Sequence, residues 1–253
     1  MMKIKSYGSG SKGNLYYLTT NKTHIILECG LEKVYITNLL NDNKIQYTDL
    51  NACITSHCHE DHSMSVKIFD DYNIPCYTTY ETKQRYNISD DNWKQLVDDT
   101  MYKIGDIRFI PLKVNHGDCE CFGFIFNNEN QNILFITDFM ECEKALNKYK
   151  FKEIFIECNY LLDKYNESKI LLENSNDDYK HFKGSKIQRQ INTHQSLENL
   201  LKLIKTFDLS QCDKVTLIHI SEELGDRDIM IEKIIEEFGV DTCALLPNGK
   251  EYY

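Results

Sequence analysis

Short apolar runs dominate the first half of the chain, and most of them have the length of a β-strand. Residues 2–7 and 14–19 flank a glycine-rich turn, and the run THIILE at 23–28 follows a turn-like Asn-Lys pair. Apolar runs bounded by such turn signals predict strands. A helical spacing of apolar residues follows at about 31–40. The other strands predicted in this half are 51–55, 74–79, 106–114, 121–128, 132–138 and 153–159.

The second half of the chain is more helical. The segments SLENLLKLIKTF at 196–207 and RDIMIEKIIEEFG at 227–239 have the apolar spacing of amphipathic helices, and the second ends at a glycine. Between them, DKVTLIHIS at 213–221 predicts another strand. Residues 163–192 are strongly polar, and we interpret them as an insertion or lid rather than a linker. Because strands alternate with helices in both halves, the pattern predicts a layered α/β fold in a single domain, 1–253.

The composition is that of a globular protein with a core of ordinary size, since 42% of the 253 residues are apolar and 27% are charged. The formal net charge of −10 disfavours a broad basic surface for duplex nucleic acid and favours small anionic substrates. A few local cations, or bound metal ions, would still permit a nucleic-acid cleft. No apolar run approaches the roughly 20 residues of a membrane helix, and the first residues lack the apolar core of a signal peptide. We therefore expect a cytoplasmic protein with no membrane partner.

The ten cysteines are scattered singly along the chain, with no CxxC pair. Several of them, such as Cys53 and Cys158, lie inside apolar runs that predict strands. The chain is also far longer than a disulfide-stabilised scaffold usually is. The pattern therefore favours buried, reduced thiols in a reducing compartment.

The segment SHCHEDH at 56–62 brings three imidazoles and two carboxylates together within seven residues. Burying such groups without partners would cost a few kcal/mol each, so the cluster indicates a shared partner such as a metal ion. Other predicted strands also end at or beside a metal-ligand residue, and side chains at strand ends converge over a sheet. Taken together, these positions give seven candidate metal ligands: His57, His59, Asp61, His62, His116, Asp138 and His219.

Seven protein ligands are too many for one ion. A zinc ion takes about four or five ligands, and a catalytic zinc leaves one position for water. The set therefore suits two divalent ions that share a carboxylate and a water. Zinc is the first choice because imidazole predominates, and the carboxylates make manganese the alternative. Two such ions about 3.5–4 Å apart can bridge a hydroxide and so make water nucleophilic at neutral pH, with Asp61 and Asp138 orienting it.

The pattern H-x-H-x-D-H at 57–62, followed by a histidine, an aspartate and a histidine, resembles the metallo-β-lactamase-fold hydrolase superfamily. The resemblance covers nearly the whole chain. It implies an α/β fold of the αβ/βα four-layer sandwich type, with the metals at one edge of two facing sheets. It also implies how the ligands divide between the ions: His57, His59 and His116 on one, Asp61, His62 and His219 on the other, and Asp138 as the bridge.

Further segments narrow the resemblance. The motifs GSGSKGN at 8–14, ECG at 28–30 and THQSLEN at 193–199 resemble the YycJ/WalJ-like branch, which is associated with nucleic-acid hydrolysis. Phage anti-Pycsar cyclic-nucleotide phosphodiesterases are similar in size and metal motif. An aspartate at position 138 is typical of the phosphodiesterase, nuclease and glyoxalase branches, whereas true β-lactamases commonly have a cysteine near there. The resemblance thus implies a nucleotide or nucleic-acid phosphodiester substrate, and also a homodimer, since many relatives dimerise.

The chain departs from the family pattern at Glu28, where aspartate is usual. That carboxylate normally orients the metal ligands. Since the extra methylene moves the carboxylate oxygen by about 1 Å or more, we expect an altered backbone there and a retained activity. His194, just before a predicted helix, is the candidate proton donor to the leaving alkoxide. The predicted substrate contacts are Ser11, Asn14, His181 and Arg189.

Several functions remain open on the sequence alone. Within the phosphodiesterase class, the substrate is either a cyclic mononucleotide or a DNA or RNA strand cleaved by an exonuclease. A glyoxalase-like thioester or lactone hydrolase would use the same metal ligands and would leave phosphodiesters untouched. A non-catalytic, metal-stabilised binding protein is the third class, and chelator-sensitive hydrolysis of any substrate would dismiss it.

Overall fold

Two β-sheets lie at the centre of the molecule. The structure is a computed structural model that describes residues 1–117, 119–129, 131–173, 184–185 and 187–253. The first sheet contains, in spatial order, β1 (Lys3–Gly8), β2 (Leu15–Thr19), β3 (His24–Cys29), β4 (Ala52–Ile54), β5 (Cys76–Thr78) and β6 (Trp93–Gln95). The second contains, also in spatial order, β7 (Tyr102–Ile104), β8 (Ile107–Val114), β9 (Cys121–Asn128), β10 (Gln131–Ile136), β11 (Glu153–Glu157), β12 (Lys214–Ile218), β13 (Thr242–Leu245) and β14 (Glu251–Tyr252).

Helices cover the outer faces of both sheets. Their bounds are α1 (Lys33–Asn43), α2 (Glu60–Ser63), α3 (Val66–Asp71), α4 (Tyr80–Tyr86), α5 (Leu162–Glu173), α6 (Leu197–Ile204) and α7 (Arg227–Phe238). Short 3₁₀ turns lie at Tyr47–Asp49 and Leu146–Lys148. Residues 187–191 are also helical. The predicted stop of the last helix is confirmed, because Gly239 ends it with a φ of 63°.

The cores follow from the alternation of side chains along each strand. In β3, Ile25 and Leu27 point between the sheets, where they pack with aromatic residues of the second sheet such as Phe124 and Phe135. Ile26 points the opposite way, into a core shared with α1 and α3. A third core joins the outer face of the second sheet to α6 and α7. The order of layers is therefore helix, sheet, sheet, helix, which confirms the predicted αβ/βα sandwich.

The strand directions place the functional residues. Strands β3, β4, β5 and β6 run parallel, and so do β10, β11, β12 and β13. Parallel neighbours end at the same edge of a sheet, so the loops that follow them meet there. The segment 56–62 follows β4, Asp138 follows β10, and His219 follows β12. The parallel strands thus bring the candidate ligands to one edge of each sheet, as the sequence predicted.

Every strand predicted from the sequence is present, with small shifts of its bounds. The strands that the pattern missed are β6, β7, β13 and β14, which are two to four residues long and too short to show a period. The polar segment 163–192 contains most of α5, while 174–183 and 186 lie outside the described residues. The role of this segment as an insertion or lid remains a prediction.

None of the ten cysteines, all of which lie in the described part of the chain, forms a disulfide. Cys53 and Cys158 are fully buried, as the apolar runs around them predicted. No helix in the described part of the chain is long and apolar enough to cross a bilayer.

Candidate dinuclear metal site

Three histidines form the first part of the site. The Nε2 of His57 lies 2.9 Å from the Nδ1 of His59, which lies 3.2 Å from the Nε2 of His116. The Nδ1 of His116 lies 2.7 Å from the carbonyl oxygen of Thr193 and must therefore carry a proton. This tautomer leaves a lone pair on the Nε2 of His116, and that atom faces the other two rings. Fixing a ring through its second nitrogen is the usual way that proteins orient a metal ligand.

The second part of the site combines an aspartate with two histidines. The Oδ2 of Asp61 lies 3.5 Å from the Nε2 of His62 and 3.4 Å from the Nε2 of His219. The opposite nitrogens of both rings contact buried carboxylates. The Nδ1 of His62 is 3.2 Å from Glu28, and the Nδ1 of His219 is 3.0 Å from Glu157. Both rings therefore turn Nε2 toward Asp61.

Asp138 lies between the two groups. Its Oδ2 is 3.9 Å from the Nε2 of His57 and 3.8 Å from that of His116, while its Oδ1 is 3.2 Å from the Nε2 of His62. Each oxygen thus faces one group, and the side chain is only 2% exposed. This is the placement that a carboxylate shared by two ions requires.

The donor set fits divalent metal ions. Imidazole nitrogens and carboxylate oxygens are the ligands that zinc and manganese take from proteins. Two ligand atoms on one tetrahedral zinc stand roughly 3.3–3.6 Å apart, and the facing atoms here are 2.9–3.9 Å apart. A cysteine that the sequence did not suggest, Cys119, also brings its sulfur within 4.8 Å of the ligand atoms of the three-histidine group.

Solved structures of known proteins share this architecture. The metallo-beta-lactamase fold protein YhfI from Bacillus subtilis superimposes with a TM-score of 0.73, over 100% of both chains and at 15% sequence identity. This chain has the metallo-β-lactamase fold.

Sequence comparison adds two curated relatives. The chain is 25% identical over 136 residues to exodeoxyribonuclease YycJ of Bacillus anthracis, which is 51% of this chain and 52% of that protein. It is 28% identical over 144 residues to exodeoxyribonuclease WalJ of Streptococcus pneumoniae, 54% of each chain. The chain thus matches about half the length of these relatives. A comparison with protein-family models gave no match.

The electrostatics of this metallo-β-lactamase-fold site favour a cation. Burial and the neighbouring His62 lower the pKa of His57 well below its ordinary value. Burial acts the same way on His219, but Asp138, Asp61 and Glu157 outweigh it and raise the pKa of that imidazole to about 10. The carboxylates thus create a strongly negative pocket, and a metal ion at His219 must displace a proton.

Three residues of the site have left-handed backbone conformations. They are Glu28 with a φ of 57°, Asp138 with a φ of 47° and His219 with a φ of 52°. Residues other than glycine adopt this region at a cost of about 1–2 kcal/mol each. Such strain is typical of functional sites, where the surrounding structure fixes an unusual backbone.

Glu28 lies at an irregular point of the first sheet, and its functional replacement of the usual aspartate stays a prediction. Its left-handed φ coincides with a shift of register between β2 and β3, where Leu15 pairs with Cys29 but Tyr16 pairs with Leu27. The carboxylate is fully buried, and burial raises its pKa while His62 opposes the rise. Its Oε1 accepts a hydrogen bond of 3.0 Å from the backbone N–H of Ser56, so it connects β3 to the metal-ligand loop.

Glu157 is the most important residue that sequence reasoning missed. It ends β11 between the strands that lead to Asp138 and His219, and it is fully buried. Its Oε1 accepts hydrogen bonds from His194 Nδ1 at 2.7 Å and His219 Nδ1 at 3.0 Å, while its Oε2 accepts from the backbone N–H of Phe139 at 2.9 Å. The signal was present in the sequence, since IFIE is another apolar run that ends in a carboxylate.

His194 lies beside the candidate metal ligands, and its role as proton donor stays a prediction. Its ring stacks on that of His219 with centroids 5.1 Å apart, and it is 17% exposed. Because its Nδ1 is held by Glu157, Nε2 is the nitrogen left for a substrate.

The predicted substrate contacts differ in their exposure and in their position relative to the cleft. Ser11 and Arg189 are exposed and line a cleft of about 500 Å³ over the metal ligands, together with Lys12. Asn14 is fully buried instead, and its side chain donates to the backbone oxygens of Gly10 at 3.2 Å and Asp61 at 3.0 Å. The expected substrate contact of Asn14 is therefore corrected to a structural role, since it anchors the 8–14 loop to a ligand. His181 lies outside the described residues.

Proposed function

We propose that this chain is a dinuclear metal-dependent hydrolase of phosphodiesters with a nucleotide-type substrate. The observation that carries the proposal is the position of Asp138, whose two oxygens face two separate groups of ligands within one cleft. Such a site is built for two ions, and paired ions are the usual solution for cleaving phosphate esters.

We assign one ion to the three-histidine group and the other to the group that contains Asp61, with Asp138 shared. Zinc is the first choice because most ligands are imidazoles, and manganese is the alternative. Bound cations would supply a water of lowered pKa and would neutralise charge on the phosphate. Asp61 and Asp138 would then accept hydrogen bonds from that water and fix its direction.

His194 is proposed to protonate the leaving alkoxide from Nε2. Glu157 supports this role, because a buried carboxylate that accepts a hydrogen bond from Nδ1 fixes the ring and leaves Nε2 for the substrate. Burial would raise the pKa of Glu157, but His194 outweighs burial and keeps it lowered, so the carboxylate stays charged. Arg189 and Ser11 are proposed to bind the phosphate oxygens at the cleft, Arg189 through its forked guanidinium.

The substrate class rests on the partial similarity to the two exodeoxyribonucleases. A DNA or RNA strand cleaved from its end is therefore the first candidate, and a cyclic mononucleotide is the second, favoured by the net charge of −10. We further propose a cytoplasmic location, which suits ten cysteines that form no disulfide within the described residues, and a homodimer.

Hydrolysis of bis-p-nitrophenyl phosphate, with metal analysis of the same preparation, tests the reaction class. We expect chelator-sensitive turnover with about two ions per chain. End-labelled duplex DNA and cyclic mononucleotides, assayed side by side, then separate the two substrates. Activity on S-lactoylglutathione or acyl lactones without phosphodiester cleavage would replace the proposal with a glyoxalase-like hydrolase.

The role of His194 has its own test. Because proton donation typically contributes about 10²–10⁴-fold, His194→Ala should lower kcat by that range and leave the metal content near wild type. His24→Ala is the matched control, since His24 begins β3, roughly 16 Å along the strand from the site. Loss of metal from the His194 variant would refute the assignment as proton donor.

A further inference from the structure

A second cleft adjoins the proposed active site, and His194 lines both. It has a volume of about 500 Å³ and lies between the loop that follows β10 and the start of α6. The two clefts share a wall at the proposed proton donor, so one molecule with its phosphate in the first cleft could extend into the second.

The walls of the second cleft suit a flat, uncharged ring rather than a phosphate. Tyr160, Ile191 and Leu203 provide an aromatic and two aliphatic surfaces. The charged side chains that line it are the carboxylates Glu141 and Glu143, and none of the described lining residues is a lysine or an arginine. A phosphate group would be repelled here, whereas a group that donates N–H bonds would be attracted.

Gln195 lines this cleft and has one buried hydrogen-bond acceptor without a partner. The residue is 3% exposed, and its Nε2 donates to the carbonyl oxygen of Met140 at 3.0 Å. That bond fixes the orientation of the amide, because only the NH₂ group can donate to a carbonyl. The Oε1 is buried and has no hydrogen-bond partner. A buried unpaired acceptor is uncommon in native proteins and indicates a missing donor.

We propose that this cleft binds the nucleobase next to the scissile phosphate, with preference for a base that carries an amino group. The amino N–H donates to Oε1 of Gln195, and Tyr160 packs against the ring. Aromatic packing against a base is a common means of nucleotide recognition. The inference rests on the proposed function, because it names the part of the same substrate that lies beyond the phosphate.

The test measures binding rather than turnover. Adenosine 5′-monophosphate and ribose 5-phosphate share the phosphate and the sugar, so their affinity ratio isolates the base. Wild type should bind the first at least about tenfold more tightly, as expected for one buried hydrogen bond plus ring packing. Gln195→Leu should remove most of that ratio and leave ribose 5-phosphate binding unchanged. Gln188→Leu is the matched control, because Gln188 is exposed and lines neither cleft.

A second variant tests the same cleft in case Gln195→Leu does not fold, since position 195 is buried. Leu203→Trp adds volume to the wall of the cleft without touching the amide, and it should abolish the base-dependent ratio. Equal binding of the two ligands by wild type would overturn the inference, and so would a Gln195→Leu variant that weakens both ligands alike. Bis-p-nitrophenyl phosphate has no base, so its hydrolysis tests the proposed function independently. If the protein cleaves this compound but shows no base preference in binding, the proposed function stands and the proposal of a nucleobase cleft is refuted.

Discussion

Glu28 offers a sharp test of the candidate site, because this chain has glutamate where aspartate is usual in the family it resembles. Glu28→Gln keeps the size of the side chain and removes its charge. The amide oxygen satisfies either the N–H of Ser56 or the Nδ1–H of His62, while the amide NH₂ must face the other. If the NH₂ faces His62, the ring moves its proton to Nε2, the nitrogen that faces Asp61.

The structure gives the size of the effect. The contact between Glu28 and His62 is a buried, charge-assisted hydrogen bond of 3.2 Å with both side chains 0% exposed, and such bonds contribute about 1.5–3 kcal/mol. Removing a partner of a metal ligand typically lowers metal affinity by about 10–100-fold, or about 1.4–2.7 kcal/mol. The two magnitudes agree. We therefore expect a loss of that size for the ion held with Asp61, and little change for the ion at the three histidines.

The assay is metal content measured over a series of buffered free-metal concentrations. Wild type should bind two ions, and Glu28→Gln should bind one at concentrations where the wild-type second site is still full. Glu32→Gln, an exposed glutamate at the start of α1, controls for the charge change. If the Glu28 variant keeps both ions at wild-type affinity, the carboxylate does not orient His62, and if both ions are weakened equally, the division of ligands is wrong.

Two further predictions follow from other buried carboxylates. Glu157→Gln should lower kcat on bis-p-nitrophenyl phosphate by about 10²-fold or more and also lower the affinity for one ion, because Glu157 holds both His194 and His219. Measuring kcat at saturating metal separates the two effects. An unchanged kcat together with an unchanged metal affinity would contradict its role. Asp70 is buried. Burial would raise the pKa of this carboxyl, but bonds from Lys67 and Ser89 outweigh burial and hold the pKa well below its ordinary value. The charged carboxylate therefore stabilises the fold above about pH 4, and this contribution is lost as the pH falls further. Asp70→Asn should therefore cost about 2 kcal/mol in urea unfolding at pH 7, with the gap to wild type narrowing toward pH 2, and a gap that is independent of pH would contradict this account.

The candidate metal ligands could be proposed from the sequence because the chemistry of their side chains is local. The four histidines and aspartates of segment 57–62 all follow β4 directly, and the other three candidates follow apolar runs long enough to be recognised as strands. Parallel strands then bring their ends to one edge, so the order of elements alone indicates which residues meet. The layered fold was predictable for the same reason, since its strands and amphipathic helices have clear periods.

The surrounding hydrogen bonds were not predictable in the same way. Glu157 resembles any acid at the end of a strand, and its function depends on His194 and His219, which are 37 and 62 residues away in the sequence. Asn14 was assigned to substrate because it lies in the GSGSKGN motif on which the resemblance rests, yet its side chain is fully buried. Contacts of this kind depend on register and on side-chain direction, which the pattern of apolar residues leaves open.

The left-handed residues connect the metal site to the stability of the fold. Asp138 and His219 lie just after a strand and Glu28 lies at the irregular end of β3, and each carries a backbone cost of about 1–2 kcal/mol. A regular strand at Glu28 would turn its side chain to the opposite face, away from His62, because side chains alternate along a strand. The left-handed backbone thus directs these carboxylates and imidazoles toward one another. Cations bound there would stabilise the folded state by mass action and offset that cost, so the same residues that make the site reactive also make the fold depend on what the site binds.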